Sequence, residues 1–480
     1  MATVPFPTLE AASLCREAIR RIAAGDHEEA ERIALRALAR WPDHPRVLVV
    51  AGNCALVSGF EAVAIERFER SLVLAPGFRE ALNNLGFIYR RQHRLDEARL
   101  LFQGLVSSDP SDEEGWINYS ATFVNEGRSA EGEAVAREAL RRRPDCAALR
   151  WNLALVLLEQ GRWREGWEQY CHRFDVPALR GAVGRLPTNL PRLPSPESLH
   201  YGQVVQCRGE QGLGDEILFG GLLRRFVDDA KSRGAAVSIG GNRRLERVYR
   251  RAFPDALWRE RGQERTADWI LPMGDLPAFY RTDDSQFPRH AGYYRADPHA
   301  STSLRRHLLG RARGKPVVGL APSGGVRWTH DVYRKVMPAE WEPLLSAPAL
   351  FVGLGYRDED DRLAEVAKTA RAEYLTFPEL TRHADYGRTF DLVAALDLVI
   401  TVPTSVLHVA GAVGTPCWVA MDHRAAWREC SRDHAIPWYP VTHRRFVRGA
   451  EEADWSHVIR RIKSRLACFN SGGGPRLSSG

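Results

Sequence analysis

Three stretches carry residues whose types and spacing could do chemistry. After the short strand expected at 204–207, the sequence GEQGLGDEI puts Gly212, Gly214 and Asp215 at a turn where backbone can approach a ligand closely. Residues 322–325, PSGG, follow an apolar run, and Ser323 and Gly324 there form a small-residue loop suited to cradling a phosphate. In the third stretch, 398–421, an apolar strand breaks at Pro403, and Thr404 and Ser405 stand where helix N-caps are favoured. Val406, Val409, Ala410 and Val413 follow at helical spacing, and Gly414 closes the helix. A helix start of this kind offers unpaired N–H groups and the positive end of its dipole to an anion. The chemistry indicated is phosphate binding, with Asp215 at a helix start facing the crevice above the strand ends. Each stretch also has a plainer account: most βαβ turns bind nothing, and an aspartate in a first turn is a good cap. The GxGxxG spacing of a dinucleotide site is absent.

The elements that must position these residues alternate between strands and helices. Strands are expected at 204–207, 236–239 and 269–271, in a first half that ends near residue 300. A second half supplies strands at 317–321, 350–354, 398–401 and 417–421. The expected fold is therefore two Rossmann-like α/β halves facing a cleft.

The first third is organised differently. Glycines 25, 59, 127 and 161 lie on a 34-residue grid, with His93 at the remaining node. Ala30, Ala64, Ala98, Gly132 and Gly166 recur five residues later, and prolines 42, 76, 110 and 144 close each repeat. This is tetratricopeptide spacing, a helix-turn-helix unit whose small residues allow close packing. Five repeats over 1–175 are expected to form an all-α solenoid, the last ending in Trp163, Trp167, Tyr170 and Phe174 as a cap against the next domain. Its concave groove could hold a polypeptide, or the array could be a spacer or dimerisation surface. A Pro- and Gly-rich linker is read over 176–200.

Composition excludes several classes. The formal net charge of +7 comes from 62 Arg against five Lys, and no dense basic run with interleaved aromatics marks a nucleic-acid surface. Asp397, Pro403 and His408 interrupt the best membrane-span candidate, so no transmembrane segment is expected. The N-terminal stretch has no basic start leading into an apolar block, so it does not read as a secretory signal. Eight scattered cysteines without a CxxC pair argue against a zinc site and for a reducing cytoplasm.

Taken together, GEQGLGDEI, the APSGG loop with RKVMPAEWEPLL, and ITVPTSVLHVAGAVGTPCWV resemble the heptosyltransferase-like glycosyltransferases of the GT-B fold. Within that group the chain is most similar to bacterial members with an N-terminal tetratricopeptide array, flagellin-modifying enzymes among them. The resemblance implies a nucleotide-sugar donor with no further cofactor, no metal, and inverting transfer to an acceptor hydroxyl. It implies an acceptor domain at 201–300, with Gly212 and Gly214 on the acceptor side, a nucleotide-sugar domain at 301–469 and a disordered tail at 470–480. By position, Asp215 matches the family's general base, while Lys335, Thr404 and His408 match donor-binding positions, beside Ser323, Gly324 and Ser405. Where the family commonly has aspartate this chain has Pro403, which cannot accept a hydrogen bond from a sugar hydroxyl. A protein acceptor such as flagellin, held by the repeats, is the first expectation. A lipopolysaccharide or capsule acceptor is the second, and an interaction scaffold with an inactive transferase module the rival from another class.

Overall fold

The computed structural model describes residues 5–124, 126–260, 267–288, 291–323, 335–355, 359–381, 385–424, 426–429 and 436–469. The chain divides into two units within one helix, the first ending at Leu153 and the second, which also takes in residues 125–127, running from Ala154.

The first unit is a solenoid of helix pairs: α1 (Leu9–Ala23) with α2 (His27–Arg40), α3 (Pro45–Val57) with α4 (Glu61–Leu74), α5 (Arg79–Arg91) with α6 (Leu95–Ser108), and α7 (Glu113–Ala121) with α8 (Ser129–Arg142). The helix α9 (Ala147–Glu159) spans the division, and α10 (Trp163–Tyr170) belongs to the second unit. The 34-residue grid is a grid of left-handed turns. Gly25, Gly59, Gly127 and Gly161 have φ of 71–86°, and His93 adopts φ 58° at the same node. After most of these turns the next N–H reaches back to a carbonyl five residues earlier, Asp26 to Arg21, Phe60 to Ala55, Arg94 to Tyr89 and Arg162 to Leu157. That closure satisfies the helix end and starts the partner helix in the reverse direction. A second small-residue position sets the packing distance. A Cβ on Gly52 would lie 2.5 Å from the Phe68 ring, and one on Gly86 would lie 2.7 Å from the Phe102 ring. Phe68 and Phe102 are fully buried there.

The second unit holds two parallel sheets. After a one-turn helix α11 (Arg180–Val183), the first sheet is built from β1 (Val204–Arg208), β2 (Ala236–Gly241), β3 (Leu257–Glu260) and β4 (Trp269–Pro272). Its helices are α12 (Leu213–Ser232), α13 (Glu246–Ala252) and α14 (Leu276–Tyr280), and α15 (Pro298–Ala312) leads onward. The second sheet contains β5 (Val317–Ala321), β6 (Leu350–Gly353), β7 (Glu373–Leu375), β8 (Leu398–Thr401), β9 (Cys417–Asp422) and β10 (His443–Arg448). Its helices are α16 (Glu342–Leu345), α17 (Glu359–Thr369), α18 (Pro378–Thr381), α19 (Gly387–Ala394), α20 (Ser405–Val413) and α21 (Ser456–Phe469).

Strand order is β3-β2-β1-β4 in the first sheet and β10-β9-β8-β5-β6-β7 in the second, with every pair parallel. In both sheets the order reverses direction after its first strand, beside β1 and beside β5. Doubly wound sheets bind ligands at that reversal, above the carboxyl ends of the strands. The central strands of the second sheet are buried along their whole length, as their unbroken apolar runs require. Residues 176–200 are not a loose connection. Leu193 N–H donates to Ile270 O and Ile270 N–H to Pro191 O at the β4 edge, and Val183, Leu193 and Leu199 are buried.

Candidate functional site

The turn after β1 is held by an unusual set of contacts. Arg173, wholly buried, donates through Nε and Nη2 to the two carboxylate oxygens of Glu210 at 2.7 and 2.5 Å and through Nη1 to Asp275 at 2.8 Å. Glu210 also accepts from the Gly274 N–H at 2.8 Å. The next residue, Gln211, has φ 58°, a left-handed backbone outside glycine that needs compensation from its surroundings. Its N–H donates to Ala182 O at 3.0 Å, its Nε2 to the Tyr170 hydroxyl at 2.6 Å, and its Oε1 accepts from Arg428 at 3.1 Å.

This turn delivers Asp215 at the third position of α12. One of its oxygens accepts from the Gly212 N–H at 3.3 Å, the carboxylate half of a capping box that glycine has no side chain to complete. The other accepts from Arg428 Nε at 2.6 Å. The sequence leads to the expectation that Asp215 faces a crevice; in the structure its carboxylate is already paired, so an incoming hydroxyl must share this oxygen with Arg428 or displace it. Gly214 packs against α20. A Cβ there would meet His408 Cδ2 at 2.9 Å and the Ser405 Cα at 3.6 Å. Two stretches nearly two hundred residues apart thus meet, helix start to helix start.

On the other side, Val402 N–H donates to Ala321 O at 3.3 Å, which sets the exits of β5 and β8 beside each other. Thr404 caps α20, its Oγ1 accepting from Val406 N–H at 3.1 Å and lying 3.2 Å from Thr401 Oγ1. Gly414 ends the helix with φ 84°. The Ser405 and Tyr386 hydroxyls are 2.7 Å apart, and the Arg244 guanidinium lies over the Tyr386 ring at 4.9 Å. Buried His408 places Nδ1 3.1 Å from the Tyr439 hydroxyl, itself 3.4 Å from that of Tyr293, which donates to Ile217 O at 2.7 Å. Burial raises both phenols well above the usual tyrosine range, so each stays a neutral hydroxyl at neutral pH. Tyr293 therefore ties α12 to the histidine's partner.

Ser323 forms an antiparallel bridge with Lys335, and Val336 N–H donates to Pro322 O at 3.2 Å. The Lys335 backbone thus returns to the phosphate-loop candidate, and its side chain is exposed. The Ser323 hydroxyl donates to the Glu359 carboxylate, a partner the sequence did not suggest. Gly324 and Gly325 lie outside the described residues.

The aromatic end of the repeats lies in the same unit. Trp163 donates to Asp284 at 2.6 Å and Trp167 to Arg281 O at 2.8 Å, in line with the expected contact with the first half. Trp167 and Tyr170 also pack edge-on against Trp427, with centroids 5.3 and 6.0 Å apart, so they touch both sheets' loops. Arg428, next in sequence, extends from this aromatic cluster to Asp215.

Residues 15–77, 61–113 and 122–170 match the tetratricopeptide repeat family, and this is a chain containing those repeats. Over 515 aligned residues it is 26% identical to Protein FlbA of Caulobacter vibrioides, covering 94% of this chain and 83% of that one. Among solved structures, a thermophilic tetratricopeptide protein of Thermus thermophilus is 21% identical with a TM-score of 0.30, covering 35% of this chain and 92% of its own. A tetratricopeptide repeat protein from Parabacteroides merdae is 16% identical with a TM-score of 0.31, covering 36% of this chain and 75% of its own. Among the described residues, no helix is long and apolar enough to cross a membrane.

Proposed function

We propose that the second unit is a GT-B glycosyltransferase module of the heptosyltransferase-like group, moving a sugar from a nucleotide-sugar donor to an acceptor hydroxyl. The observation that carries this reading is the meeting of the Gly212–Asp215 turn with the start of α20, above two sheets that both reverse strand order there. On this reading residues 201–300 are the acceptor domain and 301–469 the nucleotide-sugar domain. The Asp215 carboxylate takes the acceptor proton as the hydroxyl oxygen bonds to the anomeric carbon. The bond from that carbon to the diphosphate oxygen breaks, and the nucleoside diphosphate leaves with the electron pair. Its charge is met by Lys335, the Ser323 loop and the N-terminus of α20 with Thr404 and Ser405, without a metal. His408, held by Tyr439, orients the donor beside Gly214. The repeats supply the surface for a polypeptide acceptor, with a protein such as flagellin the first candidate and a lipopolysaccharide or capsule acceptor the second. The compartment for this chemistry is the cytoplasm, where nucleotide sugars are found.

Pro403, in place of an aspartate, favours one rival, a repeat scaffold whose transferase module is inactive. A panel of nucleotide sugars separates the two. The enzyme reading expects one donor to be turned over with acceptor present, and Asp215→Asn to lower that turnover by ~10² to 10⁴ while donor affinity survives. Asparagine keeps the size and much of the capping ability, so wild-type turnover in Asp215→Asn would remove the aspartate from the chemistry. Absence of turnover or binding with every donor would favour the scaffold.

A further inference from the structure

A basic groove lies between β10 and α21, two strands from the β5–β8 reversal and apart from the candidate site. It has a volume of about 650 Å³, and Arg444, Arg445, Arg460, Arg461 and Arg465 line it.

The chain is rich in arginine throughout, so the groove is informative only if its arginines differ from the rest. They do. On the repeat helices, arginine typically stands three or four residues from a carboxylate it reaches: Arg20 and Arg21 with Glu17, Arg32 with Glu29, Arg128 with Glu131. Neither His443–Arg448 nor Ser456–Phe469 contains an acidic residue. Of the acids between them, Glu452 is engaged with His457 and the Gly449 N–H, Asp454 with the Ser456 N–H at 2.8 Å, and Glu451 is exposed. Arg445 is anchored on Glu429 O at 2.9 Å and Arg461 on Val447 O at 3.1 Å, while Arg444, Arg460 and Arg465 form no salt bridge among the described residues.

Arginines at five positions line one concavity and concentrate positive charge there, which Asp454 near Arg460 and Glu452 near Arg461 offset in part. Planar forks at this density suit the tetrahedral oxygens of a phosphate, which can accept paired N–H donors from several of them. We propose that this groove binds a phosphate-bearing anion, a phosphomonoester or diphosphate carried on a small molecule or on a lipid headgroup. The inference stands apart from the transferase reading, because none of these residues belongs to the donor or acceptor sides of the candidate site.

The test uses the full chain at low salt. Calorimetric titration with inorganic pyrophosphate is compared between wild type, Arg460→Glu/Arg465→Glu and Lys335→Ala. Both groove arginines are exposed on α21, and an unchanged unfolding midpoint confirms folding. The expected result is a binding event weakened at least tenfold by the charge reversal, weakened less by Arg460→Gln/Arg465→Gln, and retained in Lys335→Ala. Sedimentation with phosphatidylcholine vesicles, with and without phosphatidylglycerol, identifies the carrier. Capture by the anionic vesicles that is lost on charge reversal assigns a headgroup, and pyrophosphate binding without vesicle capture assigns a small molecule. The proposal is overturned if wild type binds neither probe, or if the charge-reversed protein binds both as wild type does.

Discussion

Replacing Arg173 by methionine isolates the contact that holds the turn of the candidate site. The substitution preserves most of the apolar volume and removes the guanidinium's bonds to Glu210, Asp275 and Tyr170 O. Asp275 keeps Arg192 at 2.5 Å, so its charge stays compensated. Glu210 does not fare so well: its side chain is 1% exposed and, among the described residues, retains the Gly274 N–H alone. A buried charge stripped of its partner costs about 3 to 5 kcal/mol, a large share of the ~5 to 15 kcal/mol that holds a typical domain together. The pair itself need not contribute that much, since taking two ions out of water offsets much of their attraction. The charge-neutral double variant Arg173→Met/Glu210→Gln, which keeps an acceptor for Gly274, is therefore expected to recover most of the loss. Denaturant unfolding followed by tryptophan fluorescence reads the relevant unit, because Trp167 and Trp427 pack beside Tyr170. A deficit below about 1 kcal/mol for Arg173→Met, or a double variant as unstable as the single, would refute the assignment of Glu210 as the stranded group.

Three further outcomes are expected. Lys335→Ala should weaken nucleotide diphosphate binding by roughly ten- to a hundredfold, the loss of one charge-assisted contact of ~1.5 to 3 kcal/mol, and unchanged affinity by calorimetry would take Lys335 out of the site. Gly86→Ala places a methyl against the Phe102 ring and should destabilise the repeat unit by about 1 to 3 kcal/mol, whereas the same change at exposed Gly104, with open space around it, should not; equal effects would dismiss the packing argument. His443 is buried, and desolvation lowers its pKa to about 4 although its Nε2 donates to Leu407 O at 2.9 Å. The unfolded chain therefore binds this proton at a higher pH than the folded one, and stability falls as pH drops from about 6.5 to about 4, by on the order of 3 kcal/mol from this residue. His443→Gln should flatten that part of the profile, and an unchanged slope would assign the acid sensitivity elsewhere.

The parts of this fold legible in the sequence are those where one residue type answers one local demand. The 34-residue grid was readable because a left-handed turn selects glycine, and even His93 keeps the turn at φ 58°. Thr404 and Gly414 were readable as the start and end of α20 for the same kind of reason, a cap and a left-handed stop. The seven expected strands all formed, while β3, β7 and β10 were missed. Those three lie toward or at the sheet edges, where partial exposure breaks the apolar run that marks a buried parallel strand.

What stayed hidden in the candidate site depends on partners supplied from elsewhere in the chain. Nothing local distinguishes Arg173 or Arg428 from sixty other arginines, because their meaning lies in reaching Glu210 and Asp215 across 37 and 213 residues. Gln211 is hidden for a second reason: a strained backbone outside glycine leaves no compositional trace, and its support comes from Ala182, Tyr170 and Arg428. The glycines that flank these residues are visible in the sequence, but close approach of backbone to a ligand is not the whole reason for them. Gly214 is small because His408 occupies the space a side chain would take, so the two motifs constrain each other directly. It follows that the turn and α20 form one coupled site. A substitution at Gly214 should alter whatever His408 does, and a variant that restores room at 408 should relieve it, a compensation that two independently folded motifs would not show.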